Sequence, residues 1–137
     1  FAKYIIEHTR SGYGFMLQAP ITNNGILNMS HHQYASCIEA CNQCAATCEH
    51  CATSCLTEAN VQQMAKCIQL DRDCADMCRL AAALMARNSP FAAQVCQLCA
   101  TICTACADEC AKHEHDHCQE CAKACRHCAE ECSKMAA

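Results

Sequence analysis

Residues 37–55 read CIEACNQCAATCEHCATSC, with cysteine at positions 37, 41, 44, 48, 51 and 55. The steps alternate between four and three residues. That alternation marks one face of an α-helix, because side chains three and four apart stack above one another. A helical bundle normally fills such a stripe with leucine. Here a thiol stands at nearly every turn.

The same beat recurs further on. Cys96, Cys99, Cys103, Cys106 and Cys110 form a second stripe, and Cys118, Cys121, Cys125, Cys128 and Cys132 form a third. Between them Cys67, Cys74 and Cys78 keep a sparser register. All 19 cysteines of the 137-residue chain therefore fall on helical seams. The three glycines, Gly12, Gly14 and Gly25, precede residue 26, and from Ser30 onward the single proline is Pro90. Alanine, abundant in that region, favours helix, whereas glycine and proline oppose it. Disulfide frameworks and ferredoxin-type proteins depend on tight turns, and this region lacks the residues to build them.

Start signals divide the region into four helices. Ser30 with Gln33 forms a capping box that opens the first, which runs to about Leu56. Asn60 with Gln63 opens the second, ending near Ala86. Ser89-Pro90 supplies an N-cap and a proline at the first position of the third. Asp116 with Gln119 opens the fourth, ending near Lys134. Short links make neighbours antiparallel. The expected fold is all-α, an antiparallel up-down-up-down four-helix bundle with a cysteine-lined core over residues 30–137. Residues 1–29 lack cysteine and clear periodicity, and read as a flexible N-terminal extension or a processed leader. They do not show the order of a secretory signal.

The formal net charge is −4, so no basic face invites nucleic acid. No run of about 18 apolar residues would span a membrane. The odd cysteine count rules out complete internal disulfide pairing, and residues four apart on a helix suit that bond badly. A cytoplasmic, reducing setting follows as the expectation.

Cysteine is smaller than leucine, so a core built from it is underpacked unless something fills it. Thiolates favour Cu(I), zinc and iron–sulfur clusters. A cubane needs ligands wrapped around it from loops, and straight helices do not wrap. Zinc in four-thiolate sites would leave each site doubly negative. Cu(I) carries one positive charge against one negative charge per thiolate, so bridging sulfurs allow about one copper per cysteine in a nearly neutral core. Uncompensated buried charge is costly. The alternatives are a metallothionein-like zinc or cadmium sink and a thiol redox protein. The redox reading wants one or two exposed thiols of low pKa, and many equivalent buried ones stand here instead. No site resembles a catalytic centre, so the chain does not read as an enzyme.

The helices CIEACNQCAATCEHCATSC, CQLCATICTACADEC and CQECAKACRHCAEEC resemble the bacterial four-helix-bundle copper storage proteins. The resemblance covers residues 30–137 and is closer to the cytosolic members. It implies that all 19 cysteines bind Cu(I), and that bundles associate into a homotetramer. A copper chaperone or a copper-requiring enzyme is the expected exchange partner.

The seam positions that are not cysteine mark the ends. Met64, Asp71, His113 and Glu114 gather toward one end beside Cys55, with His115 and His117 nearby. Met64 and His113 read as transient ligands at a copper mouth, and Asp71 as an inner ligand or hydrogen-bonding partner. The alternatives are ordinary end packing for Met64, a solvated turn for the histidines and Glu114, and a rim ion pair beside Lys66 or Arg72 for Asp71. The opposite end offers Tyr34, Leu84, Met85, Phe91 and Met135 as an apolar plug. A stripe of Phe91, Val95, Leu98 and Ile102 is either flanking core or a face between bundles. His50 and His127 are expected at the surface.

Overall fold

The computed structural model describes residues 32–137. The capping box at Ser30 and the extension over 1–29 lie outside the described residues. The first helix, α1, occupies residues 32–55. A 3-10 turn at Val61–Met64 leads into α2, Ala65–Ala86. Helix α3 spans Ala92–Cys110 and α4 spans Asp116–Ala136. Among the described residues there is no strand. The four helices form a bundle of the expected kind, with α2 and α4 each packed against α3. At about 1.5 Å per residue the 22 residues of α2 make a rod of about 33 Å. Among the described residues no helix is long and apolar enough to cross a membrane.

Every cysteine is buried and none is paired in a disulfide. Ala45, Ala75, Ala81, Ala107 and Ala122 are buried beside them. Small side chains at a helix contact let the axes approach closely, which brings sulfurs from facing helices together. The hydrophobic term per thiol is modest, so the bundle depends on summing many small burials.

The helix ends depart from the expected caps. Asn60 does not cap α2. Its Nδ2 meets Gln63 Oε1 at 3.3 Å, and the backbone tightens into the 3-10 turn instead. Asp116 likewise makes no cap bond, because His115 is the extended residue before α4. Gln119 turns back and donates to the His113 carbonyl at 2.6 Å, which ties α4 to the end of α3. Ser89 does serve the start of α3, its Oγ accepting from Phe91 N at 3.2 Å. The end of α2 is closed by Asn88 at φ 51°, with Asn88 N bonded to Met85 O and Ser89 N to Leu84 O. That pair of bonds is a Schellman closure with asparagine in the left-handed position.

The plug is only partly as expected. Met85 is fully buried, and Tyr34 and Met135 pack against the core. Phe91 is instead 61% exposed, because it stands before the first regular turn of α3 and faces outward. The stripe beside the α3 cysteines divides in the same way. Val95 and Ile102 pack on the core, whereas Leu98 is 49% exposed. His50 and His127 are exposed.

Candidate metal centre

The stripes converge into one column of sulfur. Cys37 and Cys41 of α1 each lie 3.6 Å from Cys132 of α4, and Cys128 lies 3.6 Å from Cys41. One turn further on, Cys44 is 3.6 Å from Cys125 and Cys48 is 3.5 Å from it. From the other side Cys74 and Cys78 of α2 approach Cys103 of α3 at 3.5 and 3.6 Å. Cys44 joins the two sides, at 3.8 Å from Cys74. Toward the far end Cys67 meets Cys110 at 3.4 Å, and Cys51 meets Cys118 at 3.8 Å. Pairs four apart on one helix, such as Cys99 and Cys103 at 3.8 Å, complete each layer.

Four-sulfur groups form along this column, with all atoms of a group within 4.8 Å of one another. Cys41, Cys99, Cys128 and Cys132 make one, and Cys44, Cys78, Cys103 and Cys128 the next. Cys44, Cys48, Cys74 and Cys125 follow, then Cys48, Cys106, Cys121 and Cys125. Cys51, Cys55, Cys67 and Cys118 form another. Cys44, Cys48, Cys125 and Cys128 each belong to two groups. The groups are therefore not separate closed tetrahedra. The first four share corners, and a sulfur common to two groups is placed to bridge two ions.

The electrostatics of the column are those of crowded weak acids. Burial and neighbouring thiolate charge hold the Cys55 thiol up at about 11 and the Cys118 thiol higher still. Hydrogen bonding with Cys103 draws Cys44 down to about 7. A thiolate is thus sustained where neighbours remain protonated, and removing a second proton nearby is opposed by the first charge. Monovalent cations threaded between the sulfurs would lift that opposition.

Asp71 lies inside the column and is fully buried. Cys106, Cys110 and Cys121 donate to its Oδ1 at 3.2, 3.3 and 3.3 Å, and Cys67 approaches Oδ2 at 3.7 Å. The rim pairing considered from sequence does not occur. Lys66 faces Glu109 and Arg72 faces Glu49. Burial above all pushes the Asp71 carboxyl up to about 8.

Met64 is fully buried, with its Sδ 3.8 Å from Asn60 Nδ2. His113 is mostly buried, but its Nε2 is not turned to a sulfur. It sits 3.4 Å from Glu109 Oε1 and lacks the alignment of a hydrogen bond. Glu109 is itself nearly buried and holds Lys112 at 2.8 Å and Lys66 at 3.6 Å, which draws its carboxyl below the usual range. The imidazole that does reach the sulfurs is that of His117. Its Nδ1 lies 3.4 Å from Cys118 Sγ and 3.5 Å from Cys51 Sγ. His117 is adjacent to Cys118 in sequence, so it reads there as the flank of the seam. It turns inward because the first turn of α4 starts at the rim of the bundle.

Comparison with known proteins agrees with this geometry. A family model described as Csp, copper storage protein, matches residues 30–137. A Bacillus subtilis chain described as an uncharacterized cysteine-rich protein, YhjQ, is 56% identical over 86 residues, 62% of this chain and 80% of that one. The solved Cu(I)-bound copper storage protein BsCsp3 is 55% identical, with a TM-score of 0.73, over 76% of this chain and 98% of its own. A cytosolic copper storage protein from Streptomyces lividans, solved with five coppers, is 43% identical, with a TM-score of 0.75, over 80% of this chain and 96% of its own.

Proposed function

The chain belongs to the copper storage protein family, and on that premise we propose how its core holds the metal. It stores and buffers Cu(I) as a column of thiolate-bridged ions, at about one copper per cysteine, with all 19 cysteines as ligands. The observation that carries this is the sharing of Cys44, Cys48, Cys125 and Cys128 between adjoining four-sulfur groups. Bridging lets copper match thiolate one for one, and a +1 ion against each −1 ligand keeps a dry core near neutral. Zinc in the same groups would leave two negative charges per closed site, and shared corners would deny it four ligands of its own.

Residues 30–137 form the storage unit, and residues 1–29 an extension to it. Asp71 orders the sulfurs around it by accepting their S–H hydrogen bonds. Met64, His113 and His117 serve the end where Cys51, Cys55, Cys67 and Cys118 meet, His113 through exchange between Glu109 and incoming copper. Buried sulfurs shared between adjoining groups support the role of a store. The similar Streptomyces lividans protein is described as cytosolic, and free thiols in this number suit the reducing cytosol. The outward Phe91, Leu98 and Leu80 support association into a homo-oligomer, a tetramer by the family resemblance. Copper would pass to or from a chaperone or a copper-requiring enzyme.

The test is an anaerobic Cu(I) titration of the reduced protein, read by thiolate-to-copper charge-transfer absorbance and by metal analysis. Saturation near one copper per cysteine is expected. Saturation at a handful of ions, with zinc competing successfully, would replace this reading by discrete tetrahedral zinc sites.

A further inference from the structure

Glu58 lies in the connection between α1 and α2, where neither the helices nor the sulfur column requires an acid. Its Oε1 sits 3.0 Å from His117 Nε2 and 3.4 Å from His115 Nδ1. The two imidazoles stack, with centroids 5.4 Å apart and planes 7° from parallel. On its opposite edge His117 presents Nδ1 to Cys51 and Cys118. His117 is therefore gripped from both sides, by a carboxylate outside and by two sulfurs within.

A carboxylate only accepts hydrogen bonds, so the Nε2 facing it carries the proton. A neutral imidazole has one N–H, which leaves the Nδ1 lone pair aimed at the sulfurs. We infer that Glu58 is a positioning residue that selects the Nε2–H tautomer of His117, so that Nδ1 is presented as a copper ligand between Cys51 and Cys118. The inference rests on the copper-storage reading and adds to it a residue that touches no copper. The opposite tautomer would aim an N–H at both sulfurs and offer copper no lone pair. Stacking on His115 opposes rotation of the His117 ring out of this plane. Outer carboxylates fix the orientation and basicity of metal-binding histidines by the same division of labour. The chemistry also explains why the contact crosses between two connections. The carboxylate comes from the α1–α2 link and the imidazole from the first turn of α4, so the ligand is aimed only when the bundle end is assembled.

The test has two readouts on the full chain. The first is the ¹⁵N chemical shifts of the His117 ring in the reduced, metal-free protein. The Nε2–H tautomer is expected in the wild type and in Glu58→Gln, whose amide oxygen still accepts, and a mixture of tautomers in Glu58→Ala. The second is removal of Cu(I) from the loaded protein by bathocuproine disulfonate. The earliest copper should leave about tenfold faster from Glu58→Ala, the low end of what an outer-sphere partner contributes. Glu58→Gln should release it at the wild-type rate, and Glu58→Ala/His117→Ala no faster than His117→Ala alone. Glu58→Met, of similar length but without an oxygen acceptor, replaces the alanine variant if that one loses helicity. Unchanged tautomer and release in Glu58→Ala, or Glu58→Gln behaving as the alanine variant does, would overturn the role given to Glu58. A wild-type chain that fails to fill with copper would overturn the storage reading, while the metal-free ring shifts would still decide whether Glu58 sets the tautomer.

Discussion

Oδ1 of Asp71 lies 3.2 Å from the sulfur of Cys106, in a position with no exposure to solvent. The carboxyl is a hard oxygen group set among the buried sulfurs of the column. Three thiols converge on that single oxygen from α3 and α4. It therefore organises the metal-free core locally, and it does so at the cost of burying an acid.

That cost gives a pH dependence with a definite sign. The Asp71 carboxyl is raised from an ordinary 3.8 to about 8, chiefly by burial. The native state thus keeps a proton that the unfolded chain releases. The stability tied to that proton is fully present below the unfolded pKa and is lost as pH rises through about 8. At about 1.4 kcal/mol per pKa unit the loss is on the order of a few kcal/mol. Urea unfolding of reduced, metal-free protein between pH 5 and 8.5 should show the wild type weakening relative to Asp71→Asn, whose amide has no proton to lose. Parallel midpoints across that range would refute the assignment.

The seams were legible because cysteine spacing reports helix face directly, and the face decides burial. Cys37 through Cys55 could occupy one face only if α1 ran unbroken, and it does. Asp71 was legible for the same reason. The ends were not. The box at Asn60 and the one at Asp116 match a local pattern, yet a 3-10 turn and the backward reach of Gln119 satisfy those backbone groups instead. His117 is off the seam by one residue and Glu109 by one as well. Their inward turn depends on the bundle rim, which spacing along one helix does not encode.

Reduced, metal-free protein should already be helical. Its sulfurs pack on one another at 3.4–4.0 Å, so the core closes without metal. Far-ultraviolet circular dichroism in reductant should show mostly helix at 25 °C. Copper should then raise the melting temperature progressively, since a ligand held by the native state alone stabilises it by mass action. A coil spectrum that becomes helical only with copper would place the bundle with zinc fingers, which unfold without metal.

The shared corners of the column predict that cysteines are not equivalent in capacity. Cys125 belongs to two four-sulfur groups and has Cys44, Cys48 and Cys121 within 3.5–3.8 Å. Cys37 stands at the end of its stripe, with Cys132 at 3.6 Å. If sulfurs bridge, removing a central one takes a ligand from every copper it joins. Those ions then fall to a single thiolate or shift to other sulfurs. Removing an end sulfur takes a ligand from the last ion alone. Cys125→Ser should therefore lower the copper content at saturation by two or more ions per chain, and Cys37→Ser by at most about one. Both substitutions nearly conserve volume, so circular dichroism should stay at the wild-type level and the difference should appear only in metal analysis. Equal losses of one ion from both variants would mean that each thiol holds its copper independently, and the bridged column would have to be abandoned.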